Sequence, residues 1–154
     1  MASVGMVGAS GRRIAKAFLK MSNGTATCYH ITDRQHMGPK VNILVAAEAS
    51  PILKNVVSNL SSEDYLVVNA DDKAIFPLLS QSSATLITYG FNTRACITAS
   101  SVTEDGLQVC IQRAFKGIDG EERLPQEFSA KLNYEENTDT VLAAAAALAV
   151  CGVA

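Results

Sequence analysis

The 154-residue chain has few of the residue patterns that mark metal, redox or nucleic-acid proteins. Its four cysteines, Cys28, Cys96, Cys110 and Cys151, have no CxxC spacing and sit beside apolar or β-prone residues, so they read as buried reduced thiols. Only two histidines occur, His30 and His36, with no serine or cysteine nucleophile motif around them and no second ligand at metal spacing. Neither histidine points to a catalytic triad or a zinc site, and both are expected to be structural or surface residues. Basic charge is scarce too: 13 Lys and Arg against 15 Asp and Glu give a formal net charge of -2, and the cations are dispersed. That balance excludes a protein that wraps nucleic acid. No basic segment followed by an apolar one opens the chain, so no secretory signal is expected and the location expected is cytoplasmic. The longest apolar run, "VLAAAAALAVCGVA" at 141–154, falls short of the ~20 residues of a spanning helix, which excludes a membrane role for it.

What remains is apolar and globular in character, with 48% hydrophobic and 18% charged residues. The length suits one domain, 1–154, around one sizeable core. Continuous apolar runs recur at 3–8, 25–31, 41–47, 64–70 and 84–90, the pattern of strands covered on both faces. Between them, 11–21, 50–60 and 72–81 carry helical periodicity. Alternation of this kind predicts an α/β fold over 1–90, a mostly parallel, doubly wound sheet with helices on both faces. From 91 to 130 the pattern changes to strands at 95–102, 107–115 and 123–128 joined by glycine-containing turns, "EDG" and "DGEE", which predicts a small antiparallel β extension. A closing helix is expected at 137–152, capped by Asn137 or Thr138 and ended by Gly152. Its alanine-rich surface suits close packing.

Chemistry-bearing residues concentrate in "VGASGRR" after the first strand. Gly8, Ala9, Ser10 and Gly11 form a glycine-flanked turn into a helix, a shape that lets backbone amides converge on a phosphate; Arg12 and Arg13 follow. A plain strand-to-helix turn accounts for the same residues. "VVNADD" ends the fourth strand, where Asp71 and Asp72 have the chemistry to bind a metal but by default complement a helix dipole.

Taken in order, "VGASGRR", "VVNADD", "LITYGFN", a β extension and "ENTDTVLAAAAALAVCGV" resemble the central, ATP-binding domain of the Mur ligases, which form amide bonds in cell-wall peptide precursors. The family typically reads G-T-N/S-G-K-T, then N-A-D-D, then a Tyr/Phe-Gly strand end, then G-x-H-N-x-x-N-x-L-A-A-A. The resemblance implies a P-loop-like first turn at Gly8–Arg13, with ATP or ADP as cofactor, and an adenine-side role for Asn137. It also exposes departures. Arg12 stands for the lysine, and Arg13 stands for the hydroxyl residue that holds Mg²⁺, so magnesium is not expected to bind in the family manner. Residues 41–54 occupy the place of an Asp-His-x-Asp stretch yet contain neither residue; Glu48 is the only carboxylate close by, and Lys54 falls near the family's carbamylated lysine, a weak catalytic candidate whose default reading is an ordinary solvated helix lysine. Glu136 and Thr140 replace two polar residues around Asn137.

The resemblance therefore implies a degenerate, stand-alone Mur-ligase-like central domain, non-catalytic, that binds a nucleotide, another phosphate-bearing ligand or a protein partner. One alternative is an ATP-dependent, ADP-forming amide ligase component completed by other domains or chains. Another is a structural module that forms homo-oligomers through its apolar C-terminal helix region.

Overall fold

The structure, a computed structural model, describes residues 2–32, 40–132 and 136–152. The apolar runs form five strands: β1 (Ser3–Val7), β2 (Thr27–Ile31), β3 (Ile43–Ala46), β4 (Tyr65–Asn69) and β5 (Thr85–Tyr89). β3 and β4 are buried along almost their whole length, as continuous apolar sequence requires. Three more strands, β6 (Ile97–Val102), β7 (Gly106–Ile111) and β10 (Gln126–Lys131), extend the same sheet. Its eight strands run β10-β7-β6-β5-β4-β3-β1-β2. Pairing is parallel from β2 through β6 and antiparallel for β6–β7 and β7–β10. The expected α/β fold with an antiparallel extension is thus present. A separate two-stranded ribbon pairs β8 (Phe115–Lys116) with β9 (Glu122–Arg123).

Alternate residues of each strand feed two cores. Val4, Met6, Ile43, Val45 and Val67 face α1 (Gly11–Ser22) and α3 (Thr138–Cys151). Val7, Leu44, Ala46, Leu66 and Val68 face α2 (Leu53–Val57) and a 3-10 helix, Lys73–Leu79. Two helices are shorter or tighter than the periodicity predicts. The segment 50–60 gives only the five-residue α2, starting after Pro51. In 72–81, Pro77 removes a backbone donor, and a 3-10 helix, capped by the Asp72 carboxylate at the Ala74 amide (3.2 Å), forms instead. Pro125 likewise divides the strand expected at 123–128, leaving β9 and β10 on either side.

α3 is apolar all round, and Thr140 through Val150 are all buried. Alanine permits this: with so little side chain, the helix settles closely against both α1 and the sheet. The buried residues of α3 belong to the chain's own core.

Candidate phosphate loop at the sheet switch point

β1 pairs with β2 on one side and β3 on the other, so the chain reverses its direction of sheet growth at β1/β3. In open parallel sheets the crevice beyond the carboxyl ends of such strands is the usual ligand position. The loop Gly8–Arg13 leaves β1 at that crevice, and Glu48 leaves β3 beside it.

Backbone geometry makes the loop. Gly8 has φ +106°, a conformation that favours glycine, and its carbonyl accepts the Gly11 amide at 3.1 Å. His30 donates its Nε2–H to the same carbonyl at 3.1 Å, and a side chain on Gly11 would collide with the His30 ring at 2.6 Å. His30 is therefore a structural brace of the loop. His36 lies outside the described residues.

The contact that decides the loop's chemistry comes from Glu48. Its Oε1 accepts the Ser10 amide at 2.8 Å, and it lies 2.6 Å from where a Gly8 Cβ would stand. An internal carboxylate thus occupies the concave side of the loop. Ser10 itself gives α1 no side-chain cap, and the first turn of α1 carries no acidic residue. It carries Arg12 and Arg13 instead, both exposed and neither in an ion pair among the described residues. Cations at the positive end of a helix are unfavourable unless an anion is near.

The remaining candidates lie around the same end of the sheet or have structural duties. Asn137 spends its side-chain oxygen on the Thr140 amide at 2.8 Å, capping α3. Lys54 is exposed on α2 without an ion pair among the described residues. Glu136 is half-buried ahead of α3. Asp72 accepts the Ala49 amide at 3.0 Å as well as capping the 3-10 helix. Asp71 accepts the Phe91 amide at 2.8 Å and Asn92 Nδ2 at 2.6 Å. Beneath these carboxylates, burial above all, and then Glu48, Asp139 and Asp71, push the Tyr89 phenol well above its ordinary value. Tyr89 is a neutral core residue rather than a proton carrier.

The sequence points to Gly8–Arg13 and Asn137 but does not show that Glu48, Asp72 and Asp71 each reach a backbone amide of the neighbouring strand's loop. The only advance signal was their position, just past strand ends.

No protein-family model matches the sequence, and no curated protein matches it. Solved structures do match in fold. A UDP-N-acetylmuramoyl-L-alanyl-D-glutamate–2,6-diaminopimelate ligase superposes with a TM-score of 0.69 at 10% identity, over 99% of this chain and 43% of the ligase. The chain has a Mur ligase fold. MurF from Acinetobacter baumannii gives a TM-score of 0.68 at 10% identity over 99% of this chain and 43% of that one. MurF from Thermotoga maritima in complex with ADP gives 0.61 at 11% identity over 97% and 44%. The chain spans less than half the length of each of these Mur ligases.

The residues present do not fit a family-type magnesium site. Arg13 supplies a cation where a hydroxyl ligand is needed, and no group of three His, Cys, Asp or Glu among the described residues could hold a metal ion. The loop keeps its glycine frame, with the Glu48 carboxylate on the Ser10 amide. Among the described residues, no helix of this Mur ligase fold is long and apolar enough to cross a membrane.

Proposed function

We propose that this chain is a Mur-ligase-type central domain, cytoplasmic and non-catalytic, that takes a phosphate-bearing ligand, ATP or ADP included, on the Gly8–Arg13 loop without magnesium. The observation that carries the reading is the pair of exposed guanidinium groups of Arg12 and Arg13, without an ion pair among the described residues, at the positive end of α1 and opening on the β1/β3 switch point. Arginine binds phosphate oxygens in bidentate fashion, so charge neutralisation without a metal is chemically available. That MurF from Thermotoga maritima was solved with ADP supports a nucleotide as the ligand. Against catalysis stand Arg13 in the place of a hydroxyl ligand and the lack of a metal set among the described residues, because phosphoryl transfer depends on positioning and on neutralising charge at the transferred group.

Calorimetry with ATP, ADP and pyrophosphate, each in Mg²⁺ and in EDTA, tests the reading. The expected result is binding that does not depend on magnesium and that Arg12→Ala abolishes. No binding at millimolar ATP, either by wild type or by a variant lacking the Glu48 carboxylate, would overturn the ligand assignment. Magnesium-dependent ADP release with an acyl acceptor would overturn the non-catalytic half and identify a ligase component.

A further inference from the structure

We infer that Glu48 is an intramolecular competitor for the phosphate loop: its carboxylate sits on the Ser10 amide, and an external phosphate group must displace it to bind. The inference rests on the phosphate-ligand reading above and concerns how that same site is controlled.

Three observations carry it. First, the Glu48 carboxylate does at this loop what a phosphate oxygen would do: it accepts the Ser10 amide at 2.8 Å and fills the space over Gly8. Second, Glu48 is held more lightly than its neighbours. Among the described residues it makes this one hydrogen bond, whereas Asp71 and Asp72 each accept two groups. Third, the loop lies at the switch point, beside two arginines with no ion pair among the described residues. The electrostatics around Ser10 therefore favour any anion, and a phosphate with more charge than a carboxylate can compete for the place. While Glu48 holds it, only the fraction of molecules with the carboxylate swung away is competent to bind, and apparent affinity falls by that fraction.

The test uses the full chain and pyrophosphate or ATP in EDTA, titrated into wild type, Glu48→Gln and Glu48→Ala, with thermal melts to verify folding. Loss of the competing charge should tighten binding roughly 10-fold or more, and Arg12→Ala in the Glu48→Gln background should remove it. Equal affinity in wild type and both variants, or weaker binding in the variants, overturns the competitor role while leaving the phosphate-ligand reading standing. Binding by none of the three proteins overturns that reading and the inference with it. Should the variants fail to fold, NMR of wild type decides. On saturation with pyrophosphate the Ser10 amide and the Glu48 side-chain carboxyl resonances should both shift as the pair separates. A ligand that binds with both resonances unmoved overturns the inference.

Discussion

Arg123 joins three parts of the chain through one guanidinium. Its Nε donates to the Ala149 carbonyl in the last turn of α3 at 2.9 Å, Nη1 donates to Glu121 at 3.2 Å, and Nη2 pairs with Asp119 at 2.8 Å. A cation at a helix C-terminus is favourable, and here it also satisfies a carbonyl that the helix leaves open. Arg123→Ala should lower stability by about 1–3 kcal/mol in urea denaturation. The same contact sets a pH dependence. The hydrogen bond from Arg123, then the Glu121 amide, hold the Asp119 carboxyl below its ordinary value of 3.8. A lowered value in the folded state means stability that is present above that ordinary value and lost as pH falls through the folded one. The gap in melting temperature between wild type and Arg123→Ala should accordingly be constant near neutrality and narrow below about pH 4. Asp119 is substantially exposed, so this acid-dependent part is a small share of the effect. At the loop, Gly8→Ala meets both a φ of +106° and a Cβ position 2.6 Å from Glu48, and a loss of roughly 1–3 kcal/mol is expected by the same measurement. The glycines of this loop were legible as a turn from the sequence alone. That Glu48 fills it was not, because the contact joins positions 38 residues apart, and only the pairing of β1 with β3 brings them together.

Elements whose apolar period coincided with full burial were the ones the sequence announced. β3 and β4 are buried on both faces, so their runs of apolar residues left little choice of structure. The segments at 50–60 and 72–81 do turn helically, but in shorter or tighter form, because helical spacing of apolar residues says which face is buried, not whether the backbone can complete its hydrogen bonds. Pro77 withholds one such bond, and α2 has neither a side-chain cap nor the length to sustain itself. α3 shows the opposite case, in which cap, body and stop agree: Asn137 accepts the Thr140 amide, and Gly152 closes the helix at φ +84° with its amide on the Leu148 carbonyl. Asn137→Ala should cost ~1 kcal/mol as the loss of a cap. Measuring pyrophosphate and ATP affinity of the same variant separates its two candidate roles. A loss of stability alone makes Asn137 a cap, and a loss of ATP affinity with unchanged pyrophosphate affinity adds a part on the adenine side. Ala145 lies at the centre of this packed helix, fully buried, so Ala145→Leu should destabilise by about 1–3 kcal/mol through overpacking, read as a lower denaturation midpoint with an unchanged slope.

Across the molecule, the carboxyl ends of four adjacent parallel strands are joined by side chains reaching sideways. Glu48, after β3, takes the Ser10 amide after β1; Asp72, after β4, takes the Ala49 amide after β3; Asp71, also after β4, takes the Phe91 amide after β5. Each clasp satisfies a loop amide that the sheet cannot, and together they hold the rim from which the candidate site is built. The sequence displayed the three acids but not their partners, since each pairing depends on strand order rather than on spacing along the chain. The clasps should nevertheless be unequal. Asp71 anchors both the Phe91 backbone and the Asn92 side chain, and Gly90 beside it would place any Cβ within 2.9 Å of the Asp71 carboxylate. Among the described residues Glu48 anchors one amide, close to the exposed Arg12 and Arg13. Denaturation of Asp71→Ala should therefore show a loss of roughly 2–3 kcal/mol, the scale of two charge-assisted hydrogen bonds, against about 1 kcal/mol for Glu48→Ala. Pyrophosphate should restore the melting temperature of Glu48→Ala and leave that of Asp71→Ala no closer to wild type. A rim that loses equal stability at both positions, with no rescue by pyrophosphate, would mean that Glu48 is a fixed strut like the other two acids and that the loop is closed by design of the sheet.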